Sequence, residues 1–389
     1  MLKNVLSDFF APKSPLTGEL PSHSGTDHIP PPKESPGHDD STSDAAEAWR
    51  DLMLERFYRH MHGWEQNNFD REIFAGRDER DFRLEIRIKC IKFFFGNFQA
   101  LFRARDRLSD TPSRDLLDRL ILYRLLGHHH VKVVDDVERH WRLREEARSM
   151  QTGSSVESGR FGSLHTYDVP FEQERIRFSG WHLNVAASFL LKQYYFDRDG
   201  VSIGPAPGDH LIDAGACFGD TALAFAASAG PAGRVYAFDM VPAHCRVIEA
   251  NLNANPALAN RIRLFPFGVS SMDRNVGAKA SDSGGINPAA HLNLDTDPMR
   301  SIDSMVADGS IERVDFIKMD VEGSELDVLK GCEESLRRWR PKLAISIYHR
   351  LEDYYAVSDY LAGLELDYSF FLDHYTIYDG ETVLYATPG

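Results

Sequence analysis

The chain has 389 residues, with 44 Lys and Arg against 59 Asp and Glu, and a formal charge of −15. That acidity gives no electrostatic help in approaching a nucleic-acid backbone or an anionic bilayer, so neither is expected as a partner. A hydrophobic fraction of 42% with 26% charged residues fits a folded, soluble protein with one large core and a smaller satellite.

Residues 1–44 are rich in Pro, Ser, Gly, Asp and His, with Pro30-Pro31-Pro32 at the centre, and read as a disordered tail. Residues 45–150 read as a helical N-terminal region. Leu52, Phe57, Met61 and Trp64 recur at helical steps, and Leu116 to Leu126 form a second apolar face. That second helix starts at Thr111-Pro112-Ser113, with Asp115 in its first turn, and stops at Gly127. His128-His129-His130 follow the stop and read as an exposed loop. The apolar stretch Ile91 to Phe102 is shorter than the ~20 residues of a membrane span. The N-terminus has no long apolar core of a secretory signal, so a cytoplasmic location is expected. Cys90, Cys217, Cys245 and Cys332 are scattered, without the spacing of a metal site, and no metal ligands are expected among them.

A Ser/Gly-rich stretch near Met150 to Gly162 marks a boundary, and residues 151–389 form the second unit. Asn184 to Tyr195 reads as a helix. Past Gly208, short apolar runs alternate with helix-length segments: His210–Asp213, Arg234–Asp239, Ile262–Phe267, Val314–Asp320 and Lys342–Tyr348. Such alternation predicts βαβ units and a parallel sheet. Tyr368–Leu372 and Thr382–Ala386 flank Tyr378-Asp379-Gly380 and read as a hairpin. The fold class is therefore α/β: a Rossmann-like, mostly parallel sheet with an antiparallel C-terminal hairpin and a helical N-terminal region.

The chemistry concentrates at three strand ends. The first is Asp213-Ala214-Gly215-Ala216-Cys217-Phe218-Gly219, leading into a helix at Asp220-Thr221. A glycine-bearing turn between strand and helix lets backbone approach a nucleoside closely. Dinucleotide sites place a second glycine where Cys217 stands, and Asp213 adds a like charge against a diphosphate. Both features suit a cationic, phosphate-free cofactor such as S-adenosylmethionine. Asp213 is read as a ligand or as a capping acid, and Asp220 as a ligand or as a partner of the helix dipole. The second is Asp239, ending Val235-Tyr236-Ala237-Phe238, where a carboxylate can accept both ribose hydroxyls. The third is Phe316-Ile317-Lys318-Met319-Asp320-Val321-Glu322-Gly323-Ser324-Glu325, which crowds Asp320 and Glu322 at a strand's carboxyl end.

These pieces resemble the FkbM family of methyltransferases. Ile212-Asp213-Ala214-Gly215-Ala216 with Phe218-Gly219-Asp220-Thr221, then Asp239, then the Ile317 to Glu325 run carry the resemblance, which covers Gly208 to Thr387. Asp239 stands where the family commonly has Glu. Ser346-Ile347-Tyr348-His349 stands where it often has an acid. The resemblance implies a class I methyltransferase sheet and transfer of a methyl group to a hydroxyl of a sugar, glycan or related small molecule. The expected cofactor site comprises Asp213, Gly215, Ala216, Gly219, Asp220, Thr221, Asp239, Asp320 and Glu322. Methyl transfer to oxygen needs a base, and His349 or His374 is the candidate, with Asp320 orienting it or binding a divalent cation. Gln193-Tyr194 either braces the methionine end or packs under the sheet. The polar segment Ser281 to Pro288 reads as a lid or substrate loop. Two alternatives are an NAD-type oxidoreductase and a non-catalytic binding protein on the same fold; oligomeric state is not legible.

Overall fold

The structure, a computed structural model, describes residues 40–66, 68–74, 84–157, 161–277 and 297–389. Most of the proposed tail and the whole Ser281 to Pro288 segment lie outside the described residues.

Helices α1 (Asp40–Met61), α2 (Leu84–Arg107), α3 (Thr111–Leu126) and α4 (Val137–Ser149) build the N-terminal region. α3 starts at Thr111, where its sequence signal begins. Asp110 is the cap, its carboxylate accepting from Ser113 N at 2.8 Å, with Pro112 in the first turn. Gly127 closes it at φ 84°. None of the described helices is long and apolar enough to cross a membrane. The three histidines after α3 are not a loose loop: His128 is buried, and Trp64 stacks on His129 at 4.3 Å.

The stretch expected as a boundary is a strand. β1 (Gln151–Glu157), β2 (Ser163–Phe171) and β3 (Glu174–Gly180) form an antiparallel sheet of their own. The helix expected from Asn184 to Tyr195 is shorter and differently wound. It comprises α5 (His182–Asn184) and a π-helical turn, Val185–Leu190. Gln193 to Tyr195 follow it. β4 (Phe196–Arg198) and β5 (Val201–Ile203) pair next.

The main sheet contains β6 (His210–Ala214), β7 (Arg234–Phe238), β8 (Ile262–Phe265), β11 (Phe316–Met319), β12 (Lys342–Ser346), β13 (Tyr368–His374) and β14 (Thr382–Pro388). Between β8 and β11 lie the short parallel pair β9 (Gly268–Val269) and β10 (Met299–Arg300). The strand order is β13-β14-β12-β11-β6-β7-β8. The first five strands in sequence run parallel, and β14 inserts antiparallel between β12 and β13. This is the expected sheet. Helices α6 (Asp220–Ala229), α7 (Pro242–Ala254), α8 (Pro256–Ala259), α9 (Ile302–Ala307), α10 (Glu325–Lys330), α11 (Glu333–Trp339) and α12 (Asp353–Gly363) connect the strands.

Strand side chains alternate between two cores. Ile212, Tyr236, Phe238, Ile317 and Met319 face one; Leu211, Val235, Ala237 and Phe316 face the other. The first core is continuous with Trp49, Met53, Leu101, Leu120 and Val131, so the N-terminal helices share it with the sheet. The outer edge of β13 is also covered, because Ser109 N donates to Phe370 O at 2.8 Å and Leu372 N to Ser113 Oγ at 2.8 Å. That docking brings α4 over the carboxyl ends of the parallel strands.

Candidate functional site

The parallel strands end at one rim, and there the chain makes a tight turn. Gly215 sits at φ +82°, and a Cβ on it would lie 1.9 Å from the carbonyl oxygen of Asp320. Only glycine allows β6 and β11 to end this close together. Gly215 N and Ala216 N both donate to Phe238 O, at 3.0 and 2.9 Å, tying the turn to the end of β7.

Below the turn lies a buried ion pair. Lys318 Nζ is 3.0 Å from Asp213 Oδ1 and donates to Gly215 O at 2.6 Å and to Ala214 O at 3.2 Å. Asp213 Oδ2 accepts from Thr221 Oγ1 at 2.6 Å. Burial alone would lower the Lys318 pKa, but Asp213 and then Asp320 outweigh it and hold the amine above its usual range. Asp213 is fully buried and does not line the cavity, contrary to its expected role as a ligand. Gly219 does not line it either. It takes φ +82° at the head of α6 and packs on Ile248. Both are supports of the turn, because the strand's pleat and the helix entry point them away from the opening.

Above the turn is a cavity of about 270 Å³. Of the residues expected in the cofactor site, Gly215, Ala216, Asp220, Thr221, Asp239, Asp320 and Glu322 line it. Asp239 is almost wholly buried and already organised by protein donors. Cys217 N reaches it at 2.9 Å, Val241 N at 2.8 Å, and His244 Nδ1 lies 3.1 Å from both oxygens. Next to it Met240, Val241, Phe267, Val269 and Met299 give an apolar wall. Asp220 accepts from Ser188 on the π-helical turn, and burial pushes its carboxyl up to about 6 against that bond.

The opposite wall is acidic. Asp320, Glu322 and Glu381 all face the cavity. Tyr194 donates to Asp320 at 2.7 Å, Tyr348 to the same carboxylate at 3.3 Å, and Gln193 Nε2 to Glu381 Oε2 at 2.6 Å. Burial, with the charge of Asp320, pushes Glu381 up to about 7. Burial also carries Glu322 to about 7, where Asp320 adds to it and His349 opposes it. Cys217, Glu322 and Glu381 adopt φ of +48°, +57° and +60°. Left-handed backbone at non-glycine residues is strained, and here each such residue turns toward the same opening.

Neither candidate histidine lines this cavity. His349 lies behind the acidic wall, outside the cavity lining, with Nδ1 2.9 Å from Glu325 Oε1 and Nε2 3.3 Å from Asp320 Oδ1. Burial would lower its pKa, but Glu325, then Asp320 and Glu322, outweigh it and carry the ring to about 10. His374 is outside this cavity, in β13, bonded to Thr382 Oγ1 at 2.8 Å, and burial takes it down to about 3.

Residues from the N-terminal region complete the lining: Ile73, His140 and Arg144. Arg144 holds Asp70 with both guanidinium nitrogens, at 2.5 and 3.0 Å, which anchors the segment carrying Ile73. Sequence reasoning did not find Lys318, Tyr348, Glu381, His140 or Arg144 as parts of the site. A lysine within an otherwise apolar strand was the one available signal, for Lys318.

Residues 213–370 match the family described as Methyltransferase FkbM domain. AMB antimetabolite synthetase AmbE of Pseudomonas aeruginosa is 26% identical over 204 residues, which is 41% of this chain and 9% of that much longer protein. Among solved structures, methyltransferase FkbM from Methylobacillus flagellatus KT is 20% identical with a TM-score of 0.49, covering 76% of this chain and 60% of its own. The O-methyltransferase from Bacillus cereus in complex with SAH is 12% identical with a TM-score of 0.33, covering 65% and 90%. The stretch that matches the FkbM methyltransferase domain, residues 213–370, thus spans the turn at Gly215, the Asp239 carboxylate and the Asp320 end of β11.

Proposed function

We propose that this protein methylates a hydroxyl group of a small-molecule or glycan acceptor, held between the acidic wall and the N-terminal helices. The observation that carries the reading is the polarity of the cavity. Its lining joins an apolar wall and an organised carboxylate, Asp239, to three further carboxylates, Asp320, Glu322 and Glu381. That donor set fits a nucleoside carrying an ammonium and a sulfonium, and opposes a diphosphate, which disfavours NAD.

In this reading Asp239 accepts the ribose hydroxyls, with Cys217 N, Val241 N and His244 fixing its orientation. Met240, Val241, Phe267 and Met299 enclose the base. Asp320 and Glu322 face the cationic end. Bound there, S-adenosylmethionine supplies an electrophilic methyl group. The protein aligns the acceptor oxygen with it and excludes water. The acceptor hydroxyl gives its proton to Glu381 Oε1, which the Tyr348 hydroxyl approaches only at 3.5 Å, whereas Oε2 is held by Gln193 at 2.6 Å. Ile73, His140 and Arg144 form the acceptor side, which assigns residues 45–150 to recognition and 151–389 to the methyl donor.

Calorimetry with S-adenosylhomocysteine and with NAD separates the cofactor classes, and saturable binding of the first alone is expected. Transfer of radiolabelled methyl to a panel of hydroxylated sugars and glycans identifies the acceptor. Tight NAD binding, or methylation of amines but no hydroxyl, would sink the proposal.

A further inference from the structure

We propose that Asp320, Glu325 and His349 form a binding site for one divalent transition-metal ion of the Zn²⁺ or Mn²⁺ kind, set behind the acidic wall of the cavity. The fold brings them together. Asp320 and Glu325 flank the turn from β11 into α10, and His349 follows β12, the parallel neighbour of β11. Each offers one ligand atom, and these atoms lie within 4.8 Å of one another. Bonds of about 2.0–2.2 Å to oxygen and imidazole nitrogen place ligand atoms up to roughly 4 Å apart; because Asp320 approaches Nε2 and Glu325 approaches Nδ1, one ring nitrogen binds the ion and the carboxylate on the other side must swing toward it.

The second observation concerns unmatched atoms. Glu325 is fully buried. Its Oε1 accepts from Val321 N at 3.0 Å and Gly323 N at 3.4 Å, whereas its Oε2 has no hydrogen-bond partner. The His349 side chain is 9% exposed, and neither ring nitrogen has a directed hydrogen bond. What the ring has is charge contacts on both sides: Glu325 at Nδ1, Asp320 at Nε2, and Glu322 Oε2 at 3.8 Å from Nε2. Buried polar atoms rarely stay unmatched, because each forfeits its hydration without a replacement partner. Three carboxylates around one imidazole carry more negative charge than a single ring proton offsets, and a divalent ion offsets it better. An imidazole beside two carboxylates is a borderline donor set, which favours Zn²⁺ or Mn²⁺ over Ca²⁺. Such an ion would fix the Asp320 carboxylate from behind and lock the ends of β11 and β12. It is a positioning element.

The test uses the full chain after chelator treatment. Zn²⁺ is titrated by calorimetry and Mn²⁺ by electron paramagnetic resonance, with S-adenosylhomocysteine binding measured on the same samples. One ion per chain is expected, with affinity weakened at least about tenfold in Glu325→Gln and His349→Gln and unchanged in Glu138→Gln, an exposed acid on α4. Absence of saturable binding of either ion, or binding unchanged in both site variants, overturns the inference. Should a variant fail to fold, the wild type decides alone: Zn²⁺ must shift the ring ¹⁵N resonances of His349, and no shift overturns the site. Retained S-adenosylhomocysteine binding without metal uptake rejects the ion and leaves the proposed cofactor reading intact.

Discussion

Replacing Lys318 by Met separates support of the turn from contact with the ligand. Lys318 and Asp213 are 2% and 0% exposed. With the amine gone, Asp213 keeps one side-chain partner, the Thr221 hydroxyl at 2.6 Å. Leaving a buried charge without its counter-ion costs about 3–5 kcal/mol. Asp213→Asn is milder, about 1.5–3 kcal/mol, since Lys318 retains the carbonyls of Gly215 and Ala214. The double variant should recover about 1–3 kcal/mol relative to the sum of the two, the signature of a shared interaction. Urea midpoints at constant m measure all three. Calorimetry with S-adenosylhomocysteine should show Asp213→Asn binding within a few-fold of wild type, because that carboxylate does not reach the cavity. An Asp213→Asn protein of normal stability whose affinity has collapsed would refute the assignment. So would a Lys318→Met cost below about 1 kcal/mol, which is the range of solvated pairs.

Asp239→Asn should weaken S-adenosylhomocysteine by about ten- to a hundredfold, since Asn cannot accept two hydroxyls and three protein donors together; unchanged calorimetric affinity would remove Asp239 from the ribose site. Gly215→Ala should abolish cofactor binding and lower the thermal midpoint, because its Cβ meets the Asp320 carbonyl; a variant that binds normally would show that β6 and β11 can part. A pH dependence is expected as well. Burial raises the Asp70 carboxyl, but His140 and Arg144 outweigh it and bring it from 3.8 to about 2. A depressed carboxyl contributes stability that is fully present above about pH 4 and lost as pH falls through 2. The shift is worth about 2 kcal/mol. Urea midpoints between pH 5 and pH 2.5 should fall less steeply in Asp70→Asn than in wild type; equal slopes would contradict the pairing.

The parallel sheet was legible because buried strands leave short apolar runs between helix-length segments, and Leu211–Ile212 or Val235–Phe238 show them plainly. The turn at Gly215 and the acid at Asp239 were legible for the same local reason: strand, turn and helix follow one another along the chain. β1 was not legible, because Gln151–Glu157 is polar and Gly/Ser-bearing and gains its structure from pairing with β2. The surroundings of His349 and His374 were not legible for a different reason. A histidine's protonation follows its neighbours, and neither Glu325 beside His349 nor the apolar surroundings of His374 can be read from spacing. Glu381 and Tyr348 enter the site through topology, since β14 inserts beside β12 and carries residue 381 to the rim where Asp320 ends β11.

That insertion also has a consequence for the order of assembly. The cavity takes residues from Ile73 through Glu381, and Glu381 is held by a strand whose partners, β12 and β13, precede it in the chain. During synthesis the turn at Gly215 and the Asp239 carboxylate leave the ribosome long before the last strand does. A nascent chain therefore carries a half-built opening, apolar at one end and without its acidic far wall. A chain interrupted before β14 would have no closed site.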